Sequence, residues 1–179
     1  MEKPEDRTSG AGKDRSWKLD TMFGYLIRRC HQITVALYLR ELEEFDLTPA
    51  QFSMLRTVYA LGALDQVALA GRLALDMATV GDVARRLDRR GLVTRKTNPN
   101  DRRARLVQIT PVGEDIIEKM TPAVSRVQEE VLAPLTPEEG QTLISLLQRI
   151  ANENNELSRA PQRRRKPDAE VKNKSNAKA

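Results

Sequence analysis

With 179 residues, one cysteine and a net charge of +5, the chain is one domain of ordinary size with room for tails, and its core needs no disulfide or metal. The single cysteine excludes a disulfide framework and any cysteine metal cluster, and no apolar run reaches the ~18 residues of a membrane span. The first twenty residues lack the apolar stretch of a signal peptide, so the expected compartment is the cytoplasm and no membrane partner is expected.

Residues 1–16 are rich in charge, glycine and serine and read as disordered. Gly12-Lys13 is followed by Asp14, not Ser or Thr, and no glycine stands five residues earlier, so no nucleotide loop is supported. From Trp17 the pattern is helical. Leu19, Met22, Phe23, Leu26, Cys30, Ile33 and Leu37 recur at steps of three and four, and Leu42 and Phe45 carry the pattern on. A helix to about Phe45 is longer than the ~11-residue average and of a kind that packs on a partner chain. A second helix starts at Thr48, with Pro49 in the first turn and Gln51 at the capping-box position, and ends at Gly62.

Two short helices follow, Asp65–Leu73 and Met77–Arg90, joined by a turn at Ala74–Asp76. Asp76 is placed to cap the second, and Gly91 closes it. Val80, Val83, Ala84 and Leu87 are spaced for burial, while Thr79, Gly81, Asp82, Arg85, Arg86 and Arg89 point elsewhere. This is a helix-turn-helix pattern with a basic outer face. Leu92–Lys96 then reads as a strand, Asn98-Pro99-Asn100-Asp101 as a turn, and Arg105–Ile109 as a half-buried strand. The hairpin is the wing of a winged helix. Thr110-Pro111 opens a further helix carrying Pro122, where a kink is expected. Thr136-Pro137-Glu138-Glu139 starts a last one, lined by Leu143, Leu146, Leu147, Ile150 and Leu157. The outer helices carry more apolar surface than a winged helix covers, which a helical dimerisation module would use.

The charge is concentrated. Arg85–Arg105 holds nine Arg/Lys against Asp88 and Asp101 alone, and residues 158–179 hold eight Arg/Lys against two acids. A mildly acidic body with a concentrated basic patch points to a partner of high negative charge density. Residues 158–179 read as a disordered basic tail that adds sequence-independent attraction to DNA or is simply solvated.

Over roughly Asp20 to Leu157 the sequence resembles the MarR family of transcriptional regulators. The wing carries the most specific match. Asp101-Arg102-Arg103-Ala104-Arg105-Leu106-Val107-Gln108-Ile109-Thr110, closed by Gly113, follows the family's D-x-R-x-x-x-L-x-L-T-x-x-G with Ile109 for the second leucine. Thr79-Val80, Arg86-Leu87-Asp88 and Gly91-Leu92-Val93 add to it. The resemblance implies a mainly α fold with a small β-hairpin: a winged helix-turn-helix at about 48–110, with dimerisation helices at about 17–45 and 111–157. It implies a homodimer on double-stranded DNA at a pseudo-palindromic operator, and repression released by a small ligand or by cysteine oxidation.

Thr79, Asp82 and Arg85 are then the candidates for base edges or adjacent phosphates. Asp82 is more suited to orienting Arg85 and Arg86, at three and four residues' distance, than to facing phosphate itself. Gly81 costs about 1 kcal/mol against alanine inside a helix, and either a close approach to DNA or close helix packing would explain it. Arg86 and Asp88 suit holding the motif together, though Arg86 also lies on the DNA face with Arg89. Asp101 suits bracing the wing. Arg102 and Arg103 are the minor-groove candidates, and Arg95, Lys96 and Arg105 the phosphate candidates. Arg28, Arg29 and His31, with Tyr38 further on, are the ligand candidates. Their run resembles members answering to aromatic carboxylates or their coenzyme A thioesters, and an anion-accepting arginine beside a histidine donor fits such an effector. An ordinary surface or interface pair is the alternative. Cys30, flanked by Arg29 and His31, invites a redox reading, but its place on the apolar stripe favours inert packing. One histidine, no phosphate loop and no nucleophile motif argue against an enzyme, and no cofactor is expected. A winged-helix protein-interaction module is the remaining class, and it would not need nine cations at the helix and wing.

Overall fold

The structure, a computed structural model, describes residues 18–98 and 101–163, with the backbone alone for 101–103. α1 spans Phe23–Glu41, α2 Pro49–Leu61, α3 Gln66–Leu73, α4 Met77–Arg89, α5 Pro111–Leu132 and α6 Pro137–Glu153. Three strands, β1 (Leu64–Asp65), β2 (Val93–Asn98) and β3 (Asp101–Ile109), form an antiparallel sheet in the order β1-β3-β2.

The helix starts follow from their caps. Thr48 and Gln51 close a reciprocal capping box on α2, and Thr136 and Glu139 close another on α6. Asp65 and Asp76 accept the Ala68 and Thr79 backbone N–H groups at 2.7 and 2.8 Å. The long first helix expected to reach Phe45 is shorter. Met22 is extended, Leu42 leaves the helical region, and 3-10 turns at Leu19–Thr21 and Glu43–Phe45 flank α1. Apolar spacing continues through those turns, which is why periodicity alone runs the helix on. α5 continues through Pro122 without a break.

The sheet is larger than a hairpin. β1 is not legible in the sequence, because two residues carry no periodicity. It pairs Leu64 with Val107 and Asp65 with Leu106, and so ties the front of the helix-turn-helix to the wing. On the other side β2 and β3 pair from Val93↔Ile109 to Thr97↔Arg105, with a register shift after Thr97.

Leu55, Val58, Leu69, Val80, Leu87, Val107 and Met120 are fully buried together. One core therefore joins α2, α3, α4, the sheet and the first half of α5. The junction of wing and α5 explains the closing Thr-x-x-Gly of the wing motif. Thr110 Oγ1 donates to the Gly91 carbonyl at 2.6 Å and accepts the Gly113 N–H at 3.1 Å. A Cβ on Gly113 would stand 2.1 Å from the Leu92 carbonyl oxygen, so no other residue fits without moving backbone.

α1 joins the same core through Tyr38 and, at its C-cap, Leu42, and exposed charges add to its hold on α5. Glu41 accepts from Arg126 and Arg40, and Arg40 also pairs with Glu130. The Arg126 hydrogen bond, followed by that of Arg40, draws the Glu41 carboxyl below its usual range. The other apolar faces of α1 and α6 are open. Leu19, Phe23, Leu26, Ile27 and Ile33 near α1, and Leu143, Leu146, Leu147 and Ile150 on α6, all stand exposed.

Candidate nucleic-acid interface and effector face

α4 has one face in the core and one in solvent. Val80, Val83, Ala84 and Leu87 are buried, and Arg85, Arg86 and Arg89 are exposed. Asp82 sits between the two arginines expected to need orienting. Arg86 Nε lies 2.7 Å from one carboxylate oxygen and an Arg85 terminal nitrogen 3.4 Å from the other. Arg85 Nε also donates to the Gly81 carbonyl at 3.2 Å. Gly81 has no neighbour within 4 Å of where a Cβ would stand. Close helix packing therefore does not account for that glycine.

At the start of α4 the Asp76 carboxylate accepts the Thr79 N–H and, at 2.9 Å, the Thr79 hydroxyl. These bonds, backbone first, lower the Asp76 carboxyl below its ordinary value, with a further contribution from Arg159. Thr79 is thus half-committed to the cap. On β2, Arg95 is partly buried, with an Nε that has no hydrogen-bond partner among the described residues, and Lys96 is exposed; Arg105 on β3 is exposed as well. The side chains of Asp101, Arg102 and Arg103 lie outside the described residues, as do Pro99 and Asn100.

One arginine of the basic run does different work. Arg90 donates to the Phe45 and Asp46 carbonyls, at 2.9 Å for Phe45, and its guanidinium lies 3.6 Å from the Asp46 carboxylate. It clamps the turn before α2 to the end of the recognition helix. The signal available in the sequence is Gly91, which ends the helix and frees the preceding side chain to reach across.

The effector candidates come together only in part. Arg28 and Arg29 both place their guanidinium over the Tyr25 ring, 5.2 and 5.8 Å from its centroid, and Arg28 donates to Gln32 at 3.0 Å. They and His31 are exposed on α1. Tyr38 is buried instead, edge-on to Phe52 at 6.2 Å. Ten residues of helix separate it from Arg28 by about 15 Å, so the two do not share one small site. Its hydroxyl has no partner among the described residues, and burial pushes its pKa upward. Cys30 is exposed within the subunit, not packed inside it. The apolar spacing that suggests burial belongs to a face that one subunit leaves uncovered.

The basic tail also begins later than Ser158. A 3-10 turn at Asn155–Leu157 ends the helical module, so Leu157 is not part of α6, and Gln162 and Arg163 lie against α3. Gln162 donates to the Arg72 carbonyl at 3.0 Å, and the Arg163 N–H donates to the Gly71 carbonyl at 2.7 Å. Residues 164–179 lie outside the described residues.

A recognition helix seated on a three-stranded sheet, with long helices leading to an uncovered apolar surface, defines a winged helix-turn-helix protein with an assembly module. The MarR family model matches residues 47–104. The regulator HosA of Escherichia coli O111:H- is 32% identical over 126 residues, 70% of this chain and 92% of HosA. The structure of Bordetella bronchiseptica BpsR, whose DNA binding is regulated by 6-hydroxynicotinic acid, superposes with a TM-score of 0.73 at 32% identity, covering 76% of this chain and 97% of that one. A cysteine-to-serine variant of Escherichia coli MarR complexed with operator DNA gives 0.67 at 32% identity, over 71% and 91% of the two chains. The chain belongs to the MarR family of transcriptional regulators. Among the described residues no helix is long and apolar enough to cross a membrane.

Proposed function

We propose that the protein is a repressor that binds a pseudo-palindromic operator as a homodimer in the cytoplasm, and is released by an anionic aromatic effector. One observation carries the DNA face. α4 buries one side completely and holds Arg85 and Arg86 on the other through Asp82. A rigid helix with oriented guanidinium groups suits the major groove, where arginine meets guanine through two hydrogen bonds. In this reading Arg85 and Asp82 lie at base edges, with the Thr79 methyl available to a thymine. Arg86, Arg89, Arg95, Lys96 and Arg105 meet phosphates, and Arg102 and Arg103 at the wing tip enter the minor groove. The test is an electrophoretic shift on the chain's own upstream DNA and on random DNA. Arg85→Ala should lower operator affinity and relax sequence preference; Arg103→Ala should weaken binding without unfolding the protein. Equal losses on both DNAs for Arg85→Ala would reduce Arg85 to a phosphate contact.

The effector reading rests on Arg28, Arg29 and His31 beside the exposed apolar face of α1. Such a site has a charged end and an apolar end, with a carboxylate or phosphate meeting the guanidinium groups and a ring meeting the apolar side chains. Either an aromatic acid or its coenzyme A thioester meets that description. 6-Hydroxynicotinic acid, the effector of BpsR, has the same chemistry, a ring carrying a carboxylate. Because the face is open in one subunit, the site is completed on assembly. Coupling of ~1–3 kcal/mol gives a 5- to 150-fold loss of DNA affinity. The exposed Cys30 favours oxidation as the second reading. Arg28→Ala with His31→Ala should bind DNA but ignore the effector, and Cys30→Ala should respond normally. The reverse pattern replaces the effector site with the thiol.

A further inference from the structure

The end of the described chain is built, not trailing. Asn155 grips Gln162 from both sides: its Nδ2 donates to the Gln162 carbonyl at 3.1 Å, and its Oδ1 accepts the Gln162 N–H at 2.7 Å. The loop so closed is pinned to α3 by the bonds from Gln162 and Arg163 to the Arg72 and Gly71 carbonyls. Gly71 permits the approach. A Cβ there would stand 3.0 Å from Arg163 Cβ and 3.1 Å from its carbonyl oxygen. A glycine inside a helix is unfavourable by itself, so its place here is explained by the segment it admits.

This clasp delivers a cation to the recognition helix. Arg159 lies in the loop, 3.5 Å from Asp76, the residue that caps α4, and its side chain is 92% exposed. No other partner holds it among the described residues. Arg163 is held at the C-terminal end of α3. Asp76 must approach the DNA with α4, and a lone carboxylate there would be repelled by phosphate. An arginine against it cancels that charge and keeps its remaining N–H donors for an anion.

We propose that Arg159, positioned by the Asn155–Gln162 clasp, is a phosphate contact of the DNA interface, a third element beside the recognition helix and the wing. The proposal rests on α4 facing DNA. Asn155, Gln162 and Gly71 are positioning residues, and the contact is to the backbone, so it adds affinity without sequence preference.

Operator affinity of the full-length protein measured across salt concentration tests this. Arg159→Ala should weaken binding and flatten the log–log salt slope by about 0.9 for each phosphate that is no longer neutralised. Arg159→Lys should keep most of the slope, since a point charge suffices. Gly71→Ala and Gln162→Ala should lower the slope in the same direction, and Gln162→Ala should add little once Arg159 is alanine. A loss of affinity with the slope unchanged would mean that Arg159 only braces Asp76, and the proposal fails. If Arg159→Ala changes nothing while Arg85→Ala weakens binding, the proposal fails and the DNA face of α4 stands. If neither variant weakens binding, the DNA face itself is wrong.

Discussion

Leu55, Leu69, Leu87 and Val107 in the winged helix have no exposed surface, whereas Leu146, Leu147 and Ile150 on α6 keep 42, 37 and 43% of theirs. The same residue types thus have opposite fates within one chain. The winged helix buries its apolar faces in a core shared with α5 and the end of α1, caps each of its helices with a side chain, and turns most of the α4 cations outward. The outer module has α1 tied to α5 at Glu41 but leaves its apolar faces open, and an exposed apolar surface of that extent marks an interaction site. The lesson is that one subunit is complete for presenting a recognition helix and incomplete for spacing two of them. Spacing is what a pseudo-palindromic site reads.

The largest expected effect breaks the open half. Leu146→Glu with Leu147→Glu places charge on the α6 face and should leave a folded winged helix in a monomeric protein. Sedimentation at micromolar concentration would show the monomer. Operator affinity should fall by about 10²–10⁴-fold, because the second half-site no longer binds as part of the same particle. The unaltered protein should footprint two half-sites about one helical turn, near 10 bp, apart. A double variant that remains a dimer would place the interface elsewhere.

The next effect strikes the closed half. Gly113→Ala pushes a methyl group into the Leu92 carbonyl and should cost about 1–3 kcal/mol, the range of an overpacked core, against a small gain in helix propensity. Thermal unfolding would register it directly. An unchanged midpoint would show that the backbone at the junction of wing and α5 can shift to admit a methyl group.

The two halves are also unequally legible. Caps, glycine stops and the alternation of β3 are local signals, so Thr48, Asp76, Gly91, Thr110 and Thr136 mark their elements in the sequence. The pairing of Asp82 with Arg85 and Arg86 is legible for the same reason, being set by helical spacing. What escapes the sequence is long-range. β1 exists because β3 has a free edge, and Arg90 reaches a turn 45 residues earlier. The Asn155–Gln162 clasp looks like tail composition until α3 is beside it. Tyr38 groups with Arg28 on sequence proximity, and the pitch of the helix separates them.

A smaller effect probes the exposed surface of the closed half. Gly81→Ala adds a methyl where nothing in the subunit meets it, and should stabilise α4 by up to ~1 kcal/mol. If DNA backbone approaches there, operator affinity should fall while the thermal midpoint rises. A rise in both would mean that this part of α4 stands away from DNA.

The smallest effect compares one carboxylate from each half by pH. Asp76 is held ionised by the Thr79 N–H and hydroxyl, and Glu41 by Arg126 and Arg40. Both have folded-state values below the ordinary ones. Their contributions are therefore present above the ordinary carboxylate range of about 4 and are lost as pH falls through the lowered folded values. Asparagine caps a helix about as well as aspartate, so Asp76→Asn should leave neutral-pH stability nearly unchanged. It should make the thermal midpoint fall less steeply below about pH 4. Glu41→Gln cannot accept from two arginines with the same strength, so it should lower the midpoint already at pH 7 and flatten the acid limb as well. Midpoints measured from pH 7 to pH 3 separate the two cases. If Asp76→Asn keeps the steep acid limb, that limb comes from another carboxylate, and if it also loses stability at pH 7, the Thr79 hydroxyl and Arg159 need the second oxygen and the charge that asparagine lacks.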